Sequence, residues 1–409
     1  MSREMVNSRI PWIGEIPSHW NVMPHKRVMH KVKEIQERYN GENILSLTMK
    51  GVIVRDLEAG GKMPTTFDGY QKVYPNNLLQ CLFDIDVTPR CVGLIRNEGL
   101  TSPAYSQFAM YSNGYAPYFD YLLRYMDDRK TLLHLSKNLR SSLTETDFGA
   151  VNTCVPPIIE QQKIAEFLDR KCGEIDEMVA LQEQIIEELK AYKQSVITEA
   201  VTKGLNPDAP MRDSGIEWIG QIPEHWEVKR LKFIAERHNQ KVSDEVLPYI
   251  GLENVESFSE RFIETENEYD ITQAQVCAVG DVIFGKLRPY LGKAMVIKKE
   301  HCCSSEFLVL SGSGAPSYLR YLMLSDWFVE IVNASTYGTK MPRANADYIM
   351  NMQVVCPSIE ERKAIADYLD EKCADIDSLI QTKLSKIDSL KEYKKSIIYE
   401  YVTGKREVV

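Results

Sequence analysis

The sequence predicts a mixed α/β protein in which two globular domains alternate with two long helices. The helices are expected to pair as an antiparallel coiled coil, giving a pseudo-twofold particle. Three observations predict this. The phrase "WIGEIPSHW" at residues 12–20 recurs as "WIGQIPEHW" at 218–226, with seven of nine letters identical. The stretch "IAEFLDRKCGEID" at 164–176 recurs as "IADYLDEKCADID" at 365–377. Two long segments carry apolar residues at alternating steps of three and four, the spacing of a coiled-coil seam. The first echo is offset by 206 residues and the second by 201, so the ends of the halves match while their middles have diverged.

Each element has a local reason. Residues 1–155 and 205–356 are rich in Tyr, Pro and Gly and hold short apolar runs bounded by turn residues, such as "GDVIFGK" and "EFLVLSGSG". That texture predicts short strands. Between them, "APYFDYLLRYM" and "PSYLRYLMLSDWF" read as short helices. Residues 156–204 predict a single helix starting at Pro157, with Leu168, Ile175, Met178, Gln182, Ile185, Leu189, Tyr192 and Val196 as its stripe. Residues 357–409 predict its counterpart. There Ser358 to Glu361 form a capping box, and the stripe is Leu369, Ile376, Ile380, Leu384, Ile387, Leu390 and Ile397. Each stripe is too narrow for a core and too long to stay bare, so each helix is the natural partner of the other. Some 40 residues at about 1.5 Å each make a rod of about 60 Å.

Composition narrows the function. With 409 residues, 44% hydrophobic and 26% charged, the chain has room for two or three globular domains. No apolar run approaches the roughly 20 residues of a membrane span, and the start lacks the apolar stretch of a signal peptide. Nine cysteines without a C-x-x-C pair suit a reducing cytoplasm and argue against zinc. Net charge is −9, but by segment it is +2 for 1–155, −4 for 156–204, −6 for 205–356 and −1 for 357–409. Residues 286–299 hold five cations and no acid, so the global sign decides little about a polyanionic partner.

Catalytic motifs are weak. Gly312 and Gly314 in "LVLSGSGAP" could turn around a nucleotide or S-adenosylmethionine, and "TSPAY" at 101–105 is near an amino-methyltransferase tetrad with Ala104 in place of proline. The two lie in different halves and neither recurs. His19 and His225 belong to the repeated phrase, where packing under the tryptophans is the expected role.

Binding motifs are stronger because they come in matching places. "FGKLRPYLGKAMVIKK" at 284–299 sets Lys286, Arg288 and Lys293 around Tyr290, and "YGTKMPRANADY" at 337–348 adds Lys340 and Arg343. Cations and an aromatic on a turn can meet phosphates and base edges together. In the first half, "FDIDVTPRCVGLIR" at 83–96 carries Arg90 and Arg96, and "HLSKNLRSSLTETDF" at 134–148 carries Lys137 and Arg140. Tyr105 stands between these two stretches.

Taken together, the opening phrases, the helix entries "VPPIIEQQKIAEFLD" and "CPSIEERKAIADYLD", and the inner "LFDIDVTPRCVGLI" and "KLRPYLGKA" resemble the specificity subunit of type I restriction-modification systems. The resemblance covers residues 10 to 405. It implies that 1–155 and 205–356 are target recognition domains, each reading half of a bipartite site in double-stranded DNA. It further implies that 156–204 and 357–409 are spacer helices on which two modification (methyltransferase) subunits dock. Restriction (motor-nuclease) subunits would complete the assembly. S-adenosylmethionine, ATP and Mg would sit on those partners, with no cofactor in this chain, no catalytic residue and no membrane. Two rival readings are a stand-alone S-adenosylmethionine-dependent DNA methyltransferase and a coiled-coil adaptor that reads no DNA.

Overall fold

The computed structural model describes residues 4–58, 64–136, 141–242, 247–265 and 273–408. Its helices are α1 (Ala116–Asp128), α2 (Glu145–Ala150), α3 (Ile158–Lys203), α4 (Pro316–Leu324), α5 (Asp326–Ala334), α6 (Ala346–Asn351) and α7 (Ile359–Val402). The chain forms two compact units, residues 1–181 with 386–409, and residues 182–385. The division therefore cuts across α3 and α7, and each unit takes one end of both.

In the first unit, a four-stranded sheet has the order Met29–Val32, Ser106–Met110, Leu78–Gln80, Val92–Leu94, all antiparallel. The core contains Tyr118, Phe119, Leu122 and Met126 of α1 together with Ile164, Leu168 and Ile175 of α3. Full burial of such side chains is worth about 1.5–3 kcal/mol each. In the second unit, the sheet order is Glu236–His238, Phe307–Ser311, Val282–Gly285, Ala294–Val296, again antiparallel. The connectivity is the same in both, although the sequences of these strands share almost nothing. Even a buried detail recurs. Gln71 donates from Nε2 to the carbonyls of Ser102 and Tyr105 at 2.9 and 2.7 Å, and Gln275 to those of Ser304 and Phe307 at 3.3 and 3.2 Å.

Helix pairing is antiparallel within each unit. In the first, Asp176 of α3 meets Lys394 of α7 at 2.7 Å and the rings of Phe167 and Tyr401 lie 4.3 Å apart. In the second, Lys193 of α3 meets Asp377 of α7 at 2.7 Å. The capping box at α7 is present: Glu361 N–H donates to Ser358 Oγ and Ser358 N–H to a Glu361 carboxylate oxygen, both at 3.2 Å. Three stripe residues need correction, because Met178, Tyr192 and Leu384 are exposed. The buried face of α3 runs instead through Cys172, Ile175, Gln182, Ile186, Lys193 and Ile197. Lys193 lays its methylenes along that face while its ammonium reaches Asp377.

The repeated phrase now has a structural role. Trp20 Nε1 donates to Glu160 in the first turn of α3 at 3.0 Å, and its ring packs close to Gly404 just beyond α7. Trp226 Nε1 donates to Glu361 in the first turn of α7 at 3.1 Å, with Gly204 just beyond α3 beside its ring. Each tryptophan thus locks the start of one helix to the end of the other. Both glycines have positive φ, 76° and 72°, and a Cβ on Gly404 would fall 2.4 Å from Pro17. His19 and His225 are exposed rather than tucked under the tryptophans, and each bonds the same carboxylate as its neighbour, at 2.9 and 2.8 Å. All nine cysteines are buried and unpaired, Cys302 and Cys303 on the strand His301–Cys303. No helix among the described residues is long and apolar enough to cross a membrane.

Candidate nucleic-acid interface

The second unit brings two of the basic segments into one surface. The connection 286–293 leaves the sheet after Gly285 and returns at Ala294. Loop 337–344 runs alongside it: Arg288 N–H donates to Pro342 O at 2.8 Å and Ala344 N–H to Lys286 O at 2.9 Å. Leu287 and Arg343 pair as an isolated antiparallel bridge. Residues 54 to 58 positions apart in sequence are thereby fixed side by side.

The charges there are not equivalent. Arg343 pairs with Glu306 through a short contact, and Arg237, on the edge strand Glu236–His238, bonds Asp347 at 3.0 Å. Lys286 is half-buried. Its pKa is lowered by that burial and by the like charges of Arg237 and Arg343, against the pull of Glu306. Lys293 points inward, donating to Leu252 O at 2.7 Å, with burial again lowering its pKa. Arg288 and Lys340 are exposed, and among the described residues neither side chain has a hydrogen bond or ion pair. Tyr290 and Tyr337 are exposed beside them, 46% and 61%.

In the first unit the candidates scatter. Arg90, only 13% exposed, is held by Asp128 at 2.9 Å and Asp127 at 3.5 Å at the end of α1. Tyr105 stacks on Phe83 at 6.0 Å and is half-buried, which raises its pKa. Both residues serve the loop's own packing. Arg96 is exposed on the turn between Val92–Leu94 and Gly99–Thr101. Lys137 and Arg140 lie outside the described residues. The reading from sequence missed Lys31, which stands on the edge strand of this sheet as Arg237 does on the other, and which pairs with Glu145 of α2. Burial alone would raise the Glu145 pKa, yet the hydrogen bonds from Lys31 and Ser106 hold it below the ordinary carboxylate value. Tyr111, 4.8 Å from His30, lines with Lys31 and Glu145 an open cleft of about 230 Å³. A cation on a strand within a mixed sequence carries no motif, so only the matched sheet topology reveals the pair.

The turn "TSPAY" has a structural explanation, since its Ser102 and Tyr105 carbonyls are the acceptors for Gln71. Gly314 sits where a Cβ would lie 2.8 Å from Ile359 of α7, so the second glycine of the G-x-G turn serves close packing.

The model of the type I restriction modification DNA specificity domain matches residues 223–389. The specificity subunit of the type I restriction enzyme MjaVIII from Methanocaldococcus jannaschii is 26% identical over 281 residues, covering 64% of this chain and 63% of that protein. The chain is thus similar to the specificity subunits of type I restriction enzymes. A second relative, the EcoDI specificity subunit of Escherichia coli, is 22% identical over 64% of this chain and 65% of its own length. The matches thus span less than two thirds of the length of these curated relatives. Among solved structures, a chain from a study of assembly and conformational transition of the type I R-M system aligns with TM-score 0.69 at 14% identity, over 95% of this chain and 98% of that one. The HsdS subunit from Thermoanaerobacter tengcongensis aligns with TM-score 0.53 at 15% identity, over 96% and 98%. At such identity these two speak for the fold alone.

Proposed function

We propose that this chain is the non-catalytic DNA-reading subunit of a type I restriction-modification complex. Residues 1–155 and 205–356 act as target recognition domains, each reading one half of a bipartite site in double-stranded DNA. Residues 156–204 and 357–409 set the spacing and dock two modification subunits, which bring S-adenosylmethionine; restriction subunits bring ATP and Mg. The complex works in the cytoplasm. One observation carries this reading: two units of identical sheet connectivity present unlike loops at the corresponding connection, 81–91 in one and 286–293 in the other. A shared frame with exchanged loops is what reading two different sequences requires, and Arg288, Tyr290 and Lys340 supply donors and a stacking surface for it, with Arg343 held beside them by Glu306. In the first unit Arg96 and Lys31 take that part, while Arg90 and Tyr105 brace their loops, as Lys293 does in the second unit. The acidity of 205–356 leaves much of the salt-dependent attraction to the partner subunits.

The test is methylation mapping of genomic DNA from cells with and without this chain, both retaining the modification subunit. One split motif is expected to lose its methylation in the deletion strain. Unchanged methylation at every motif would contradict the assignment.

A further inference from the structure

We infer that Arg288 reads a base edge in the half-site of the second unit, and that the base is guanine. The inference rests on the DNA-reading function proposed above and names one contact within it.

Four facts converge on this side chain. First, Arg288 holds a left-handed backbone, φ 51° and ψ 60°, although it is not glycine and precedes a proline, which itself favours extended geometry. Such a conformation persists only where the surroundings impose it, and it gathers at functional positions. Second, the surroundings here do impose it. Arg288 N–H is tied to Pro342 O at 2.8 Å, Leu291 N–H to Arg288 O at 3.0 Å, and Pro289 is buried. On the far side, a Cβ on Gly292 would lie 2.5 Å from Phe258, so the loop is packed from that direction too. Third, Arg343, Arg237 and Lys293 are committed to Glu306, Asp347 and the Leu252 carbonyl, and Lys286 is half-buried, whereas the exposed Arg288 guanidinium has no partner among the described residues. Fourth, the chemistry selects among the remaining two. A guanidinium is a planar fork that matches the paired N7 and O6 acceptors of guanine in the major groove, while the ammonium of Lys340 is a point charge suited to phosphate.

The corresponding connection of the first unit repeats the device with another residue. Asp84 there also has positive φ, 47°. A fixed, strained perch whose side chain changes from donor to acceptor fits a position that sets sequence preference.

The experiment uses the full chain assembled with its modification subunits and a pool of randomised double-stranded DNA, with bound sequences read out. Arg288→Lys keeps the charge and removes the fork. Arg288→Gly removes the side chain and suits the left-handed backbone, so its fold is not at risk. Wild type should enrich a split motif. Both variants should lose, by roughly tenfold to a hundredfold, the preference for one guanine in one half, with every other position intact. Lys340→Gln should instead weaken all sequences alike and flatten the salt dependence. If the Arg288 variants keep the wild-type motif, or weaken all sequences equally, the guanine contact is wrong while the DNA-reading assignment stands. If wild type enriches no motif, that assignment fails and takes this contact with it.

Discussion

Trp226→Ala is expected to destabilise the second unit by about 3–5 kcal/mol. The ring is 2% exposed and belongs to the core built on α4 and α5. Its Nε1 donates to Glu361 and its edge lies against Gly204. Truncation opens a cavity, strips a hydrogen bond from a carboxylate, and releases the end of α3 from the start of α7. Glu361 itself reflects that bonding. Burial would raise its pKa, but His225, Trp226 and Ser358 together hold it below the usual value. Trp226→Phe, which keeps most of the apolar volume, should cost clearly less. Urea unfolding of the full chain followed by circular dichroism measures both. A loss below about 1 kcal/mol for Trp226→Ala would show that the repeated phrase is not a structural lock.

The first unit should be acid-sensitive through one residue. His25 is fully buried against Phe148, with ring centroids 4.6 Å apart, and burial lowers its pKa from 6.5 to about 4. Since the unfolded chain binds this proton more readily, the neutral imidazole's contribution is complete above pH 6.5. It is lost as pH falls from 6.5 towards 4, and amounts to about 3 kcal/mol. The corresponding position in the second unit, the first residue of its own 3₁₀ turn, is Leu231, also buried. His25→Leu should therefore be tolerated at pH 7.5 and should gain about 3 kcal/mol on wild type as the pH is lowered to 4. Parallel pH dependences for the two proteins would contradict the assignment.

The helices were legible because a three-four period sustained over some forty residues outweighs any local ambiguity. What the period left open was the exact face. Cys172 and Lys193 fill buried places that look unremarkable in sequence, while Met178, Tyr192 and Leu384 look apolar and stay exposed. The sheets were not legible in their order, since strands of three to five residues pair with partners far along the chain. At the candidate interface, the basic loops announced Arg288, Lys340 and Arg343 by composition. Arg90 had the same signature, and only the fold shows that Asp127 and Asp128 claim it. Arg237 and Lys31 gave no local signal; their correspondence comes from matched edge strands.

The most direct test of two unlike readers on one repeated frame is an exchange of residues 21–155 for the corresponding segment of a family member with a different specificity. The boundaries spare Trp20 and the α3 entry, so the lock between helices is kept. Methylation mapping of cells carrying the chimera should show one half of the split motif replaced and the other half, with its tested guanine, retained. A chimera that folds and assembles yet keeps both halves unchanged, or loses both together, would contradict the account.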